Sequence, residues 1–123
     1  MRIVINETPP SINKYLGRNN VWEYRQDKAY WTNLVYTMAL YAKPVNYTPP
    51  KKANVTITYY FKTKARHDPD NFGKLILDGM VKAGVIMDDC FDHINLTLKG
   101  GWDKENPRTE IKIEEIKEKG EQK

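Results

Sequence analysis

The sequence predicts an α+β fold: a two-layer sandwich in which two helices cover one face of a mixed four-stranded sheet, in the order β-α-β-α-β-β. Three observations predict it. From Ala53 to Lys62, Val55, Ile57, Tyr59 and Phe61 alternate with Thr56, Thr58, Tyr60 and Lys62, a period of two in β-branched and aromatic residues. Two longer stretches instead repeat apolar residues at three- and four-residue steps. Short alternating runs near both ends of the chain supply the remaining strands.

Taken in order, Arg2–Asn6 reads as the first strand, with Ile3 and Ile5 on one side, and Thr8-Pro9-Pro10-Ser11 breaks it. The first helix is expected from about Trp22 to Tyr41, its apolar face formed by Tyr30, Leu34, Val35, Met38, Tyr41 and Ala42. Lys43-Pro44 ends it, because proline cannot continue a helix. The second helix is expected from about Pro69 to Ala83, presenting Phe72, Leu75, Ile76, Gly79, Met80 and Ala83 on one face. Asp68 suits its N-cap, Pro69 its first turn and Gly84 the position just past its end. Ile94–Lys99 and Thr109–Glu115 read as two further strands, joined by the polar Gly100–Arg108 loop and expected to pair as a hairpin. The reading is one domain over residues 1–116, followed by a charged, flexible tail over 117–123.

Composition narrows the function classes. A hydrophobic share of 40% and a charged share of 29% are those of an ordinary globular protein, and no apolar run approaches the ~20 residues of a membrane span. The chain start has no apolar run of signal-peptide length, and the single cysteine, Cys90, has no partner for an internal disulfide. Both point to a cytoplasmic protein. The net charge of +4 is unevenly laid out. Lys43, Lys51, Lys52, Lys62, Lys64 and Arg66 succeed one another with no acid among them. Asp68, Asp70, Asp78, Asp88, Asp89 and Asp92 then follow, with only Lys74 and Lys82 as basic company. Such a layout suits a polyanion that is both held and cut, and equally suits plain solvated charge.

The densest chemical signal is Arg66-His67-Asp68-Pro69-Asp70-Asn71, followed by Lys74 and by Asp88-Asp89. Phosphodiester hydrolysis calls for a hard cation that polarises the phosphate and lowers the pKa of an attacking water, and magnesium takes carboxylate oxygens and waters for that purpose. Asp-x-Asp at a helix mouth supplies two carboxylates, a third from elsewhere completes the cage, and Lys74 lies one helical turn past Asp70. Each acid taken singly also fits a structural role: Asp68 as an N-cap, Asp70 as a first-turn acid and i, i+4 partner of Lys74, Asp88-Asp89 as turn residues. The whole set is harder to explain that way, since crowding like charges is costly unless a cation offsets it. His67 and His93 read as solvated residues, and Cys90 has no neighbouring base to make it a nucleophile. Tyr15, Trp22, Tyr24 and Trp31 are candidates to stack on exposed bases, although Trp31 borders the apolar face and reads better as core.

Arg66-x-Asp68-x-Asp70-Asn71-x-x-Lys74, Asp78, Lys82-Ala83-Gly84 and Asp88-Asp89 together resemble the signature of the RusA family of Holliday-junction resolvases. Pro9-Pro10-Ser11-Ile12-Asn13-Lys14-Tyr15 is similar to that family's N-terminal segment, and the likeness runs from Pro9 to about Glu115. The resemblance implies a homodimer that makes paired, symmetric nicks in four-way branched DNA with Mg2+, Mn2+ being a substitute, in DNA recombination and repair. It implies Asp68, Asp70 and Asp89 as metal ligands and Lys74 as a catalytic or phosphate-contacting base. Ser11, Asn13 and Lys14 become DNA contacts, joined by Lys62, Lys64 and Arg66 from the basic stretch. The family can carry a denser arginine run before the first aspartate, so this chain departs from it where junction affinity and base preference are set. A bacterial or prophage setting suits such a resolvase. The competing readings are a catalytically inactive DNA-binding or recombination accessory protein, and a nuclease for other branched DNA.

Spacing adds a geometric expectation. A helix over residues 69–83 is ~22 Å long, and the four residues 84–87 span at most ~14 Å, too little to bring Asp88-Asp89 back to Asp68 and Asp70. Two such helices packed antiparallel about a two-fold axis would bring Asp89 of one subunit to Asp68 and Asp70 of the other.

Overall fold

The computed structural model describes residues 1–9, 21–64 and 73–117, without the side chains of Val21 and Lys74. Six elements follow one another: β1 (Arg2–Ile5), α1 (Val21–Ala42), β2 (Ala53–Phe61), α2 (Gly73–Lys82), β3 (Ile94–Trp102) and β4 (Arg108–Glu115). The fold is α+β, with two helices and an open, mixed four-stranded sheet of order β1-β4-β2-β3. β4 runs antiparallel to both β1 and β2, while β2 and β3 are parallel and are joined through α2.

The alternation in β2 does what the sequence predicts. Ala53, Val55, Ile57, Tyr59 and Phe61 are buried and the residues between them are not. Ile3 and Ile5 of β1 and Ile111 and Ile113 of β4 fall on the same face and meet Trp31, Val35 and Ala39 of α1 and Ile76 and Met80 of α2 in one core. Each aliphatic side chain fully buried there contributes about 1.5–3 kcal/mol. α1 and α2 cross closely at Gly79. A Cβ added at that glycine would lie 2.7 Å from Val35 Cβ and 2.8 Å from the Thr32 carbonyl oxygen.

Three expectations need correction. β3 and β4 do not form a hairpin: β2 lies between them, parallel to one and antiparallel to the other. The 103–107 connection instead passes the end of β2, where the Asp103 N–H donates to the Phe61 carbonyl at 2.9 Å. β3 also runs on through Gly100 and Gly101 to Trp102, because both glycines pair in register with Tyr59 and Tyr60, and the Tyr60 ring occupies the space a Cβ on Gly101 would need. The buried face of α1 is formed by Trp31, Val35 and Ala39, about one residue round from the expected face. Tyr30 and Tyr41 are exposed, and the Tyr30 hydroxyl donates to Glu7 at 2.5 Å instead of entering the core.

The end of α2 carries the candidate acids, and its stop is specified locally. Gly84 adopts φ +74°, where a side chain would be strained. Its N–H bonds to the Val81 carbonyl and the Val85 N–H to the Met80 carbonyl, a Schellman cap with Met80 and Val85 packed together in the core. Two side chains from the loop after α1 finish the job: Lys43 Nζ donates to the Ala83 carbonyl at 3.1 Å and the Tyr47 hydroxyl to the Val85 carbonyl at 2.7 Å. Partial burial pushes the Tyr47 hydroxyl pKa up, so it remains a donor. Tyr47→Phe removes that donor and is expected to lower stability by about 1–2 kcal/mol, read as a fall in the urea midpoint with an unchanged m-value.

Candidate active site

After the α2 cap, Val85 and Ile86 are buried and anchor the chain, and Met87 and Asp88 emerge into solvent with Asp89 half-buried beside them. The Asp88 carboxylate accepts the Asp89 N–H at 2.7 Å. Both the His93 and Ile94 N–H groups donate to the Cys90 carbonyl, which closes the turn just before β3. His93 is structural: its Nδ1 lies 2.8 Å from the Lys51 carbonyl oxygen, and its own carbonyl accepts the Ala53 N–H. The acidic turn is thus tied to the N-terminal ends of β2 and β3, where Ala53 faces Ile94. Phe91, 90% exposed, and Met87 flank the acids as surface apolar groups.

A basic and aromatic group occupies the opposite end of the same strands. β2 has nine residues and is about 26 Å long over its eight steps. Beyond Phe61, Lys62 and Lys64 are exposed. Trp102 Nε1 donates to the Lys62 carbonyl at 3.0 Å, and Lys64 Nζ sits 4.5 Å from the centre of the Trp102 ring. On the other face of the sheet, the Arg108 guanidinium lies 4.0 Å over the Tyr60 ring and bonds Glu110 at 2.6 Å and Asp103 at 2.8 Å. Those hydrogen bonds from Arg108 hold the Asp103 and Glu110 carboxyls below the usual carboxylate range. Sequence alone does not single out Trp102 and Arg108, because both stand in the stretch whose polar residues and glycines predict a loop. The period-two continuation Leu96, Leu98, Gly100, Trp102 was the signal that could have found the tryptophan.

Of the predicted site residues, the structure describes Asp89, Lys62 and Lys64. Ser11, Asn13, Lys14, Arg66, Asp68 and Asp70 lie outside the described residues, as do His67 and Tyr15. Lys74 is the second residue of α2, its side chain also outside the description. Asp78 is half-buried on α2 and faces Lys28 of α1 at 4.0 Å. Trp31 is core at 3% exposure, whereas Trp22 is 70% exposed. Among the described residues no three His, Cys, Asp or Glu side chains come close enough to hold a metal ion. No helix among them is long and apolar enough to cross a membrane.

The matching of the chain to known families decides what this arrangement belongs to. Residues 7–114, containing every predicted site residue and every element but β1 and the last residue of β4, match the family described as endodeoxyribonuclease RusA. The chain belongs to the RusA family. Membership implies a nuclease that resolves Holliday junctions, acting on branched DNA. RusA-family nucleases are typically metal-dependent. No curated protein matches the chain. In RusA-family terms, the described structure supplies one candidate acid, Asp89, on a fixed turn, and two candidate DNA-contacting lysines at the far end of the sheet.

Proposed function

We propose that this RusA-family chain is a magnesium-dependent endonuclease that resolves Holliday junctions by paired, symmetric nicking. It acts as a homodimer, in bacterial or prophage cytoplasm, through a single nuclease domain over residues 1–116; of the charged tail over 117–123, residues 118–123 lie outside the described residues. Asp68, Asp70 and Asp89 hold the ion, Lys74 contacts the reacting phosphate, and Ser11, Asn13, Lys14, Lys62, Lys64 and Arg66 hold the DNA.

The observation that carries the reading is where Asp89 stands. Its turn is pinned to the N-terminal ends of β2 and β3, while Lys62 and Lys64, which lead in sequence to Arg66-x-Asp68-x-Asp70, leave the opposite end of β2. This separation supports a site completed by a second copy, and the exposed Met87 and Phe91 give that copy apolar surface to cover. The donor set fits a hard cation: three carboxylates, with neighbouring His93 already bonded to the Lys51 carbonyl and Cys90 exposed in the turn.

An ion bound by the three carboxylates supplies Lewis acidity to the scissile phosphate and acidity to its bound water. The chain's own residues do the rest. Lys74, four residues past Asp70 in the sequence and the second residue of α2, brings an ammonium that stabilises charge gathering on the phosphate oxygens. Lys62 and Lys64 neutralise backbone phosphates and make affinity fall with salt. A two-fold dimer presents two equivalent sites to a junction whose own symmetry demands two matched cuts.

The direct test is cleavage of a labelled synthetic four-way junction and of a linear duplex, each with magnesium and with EDTA. Paired symmetric nicks in the junction alone, abolished by EDTA, are expected. Binding without cutting, or equal cutting of the duplex, contradicts the reading.

A further inference from the structure

Trp102 ends β3, one of the two edge strands of the described sheet, and remains 48% exposed. Three features distinguish it from a surface aromatic that is merely left over. Its indole N–H is already bonded to the Lys62 carbonyl at 3.0 Å, so the ring is held at a fixed angle and its polar atom asks nothing of a ligand. The Lys64 ammonium lies 4.5 Å from the ring centre, a cation against the π face. Gly100, two residues earlier and therefore on the same face of the strand, is exposed, and a Cβ added there meets no heavy atom of the described residues within 4 Å. The result is a held, half-exposed aromatic plate beside a slot that no described residue fills, with two exposed lysines close by in the chain.

Among the described residues the charge around the plate is mostly basic. Lys62 and Lys64 are exposed on one side and Lys99 and Lys104 stand near in the chain. The described acids nearby are Asp103 and Glu105. Arg108 binds the Asp103 carboxylate, which also accepts the Glu105 and Asn106 N–H groups, so Asp103 is neutralised locally.

We propose that Trp102, Lys64 and the slot above Gly100 form a seat for one unstacked nucleobase and its adjoining phosphate. The base stacks on the indole over Gly100, and Lys64 swings from the ring to the phosphate. Stacking on a fixed plate favours DNA whose bases are already free of their neighbours, as at a branch point, over continuous duplex. The seat rests on the branched-DNA reading above and deepens it, because Lys64 lies four residues before Asp68 in the chain. Trp102 acts here as a positioning residue for the strand, separate from the acids that carry the chemistry.

The test is equilibrium binding, in EDTA over a range of salt, of a labelled four-way junction and a single-stranded oligonucleotide to the full chain and four variants. Trp102→Ala is expected to weaken binding about five- to a hundredfold at fixed salt without changing the salt slope, and Trp102→Phe to keep most of the affinity. Lys64→Ala is expected to lower the slope by about one phosphate contact. Gly100→Val leaves the indole in place and fills the slot, so it is expected to fold with an unchanged melting temperature and to lose binding as Trp102→Ala does. Folded Trp102→Ala and Gly100→Val proteins that bind both DNAs as tightly as the parent, which still cuts junctions, overturn the seat and leave the nuclease reading standing. A parent that cuts no junction yet binds the single strand through Trp102 sinks the nuclease reading and supports the seat.

Discussion

Asp89→Asn is expected to lower junction cleavage by about a thousandfold or more, some 4 kcal/mol of barrier, while leaving junction binding within a few-fold of the parent. The substitution keeps the shape of the side chain and removes its charge. A carboxamide is a far poorer ligand for a hard divalent ion, and the turn that presents it is also held by the Gly84 cap, the Tyr47 and Lys43 bonds, and the Cys90 carbonyl. The effect separates chemistry from affinity because Asp89 stands at the end of the sheet away from Lys62 and Lys64. Single-turnover cleavage beside anisotropy binding on one labelled junction measures both. Cleavage within tenfold of the parent would remove Asp89 from the chemistry.

Gly79→Val is expected to be the most damaging single change to the fold among the described residues. The α1–α2 crossing leaves no room for a Cβ: the nearest atoms are Val35 Cβ at 2.7 Å and the Thr32 carbonyl oxygen at 2.8 Å, and the second belongs to helix backbone that cannot rotate away. A small gain in helix propensity is outweighed by overpacking, for a net loss of about 3 kcal/mol and a melting temperature lower by roughly 10 °C. Because α2 carries Lys74 at one end and aims the Asp88–Asp89 turn at the other, cleavage should fall with stability. Gly79→Ala is expected to show the same effect at smaller size. A variant with an unchanged thermal midpoint would mean the two helices can separate freely.

Much of this architecture was legible in the chain. Period-two alternation located β2 and its buried face, and Gly84 located the end of α2, because each is a local matter of which side chains enter the core or which φ a residue tolerates. Strand order was not legible. Alternation in Ile94–Leu98 and Thr109–Ile113 reports a buried face and says nothing about which edge pairs with which, so β2 could take the place between them unannounced. The buried face of α1 differs from the expected one where tyrosines stand, because a hydroxyl such as that of Tyr30 gains more from Glu7 than from burial. The Gly100-Gly101 pair looked like a break and is strand, since cross-strand pairing with Tyr59 and Tyr60 overrides glycine's weak preference. The candidate site was legible as residue types: aspartates, one helix-borne lysine and a basic run. Residue types do not fix where the carboxylates stand: Asp89 and the Asp68–Asp70 pair lie on either side of α2 in the sequence, and Asp68 and Asp70 lie outside the described residues.

A site assembled from two copies of the chain is tested most directly by mixing two inactive variants. Asp70→Asn and Asp89→Asn subunits, differently tagged, are exchanged and the heterodimer is isolated on both tags. With shared sites, one site of each heterodimer keeps Asp68 and Asp70 from one chain and Asp89 from the other, and single-strand nicking of the junction returns. If purified heterodimers nick no better than either parent variant, the carboxylates act within one chain and the shared site is wrong.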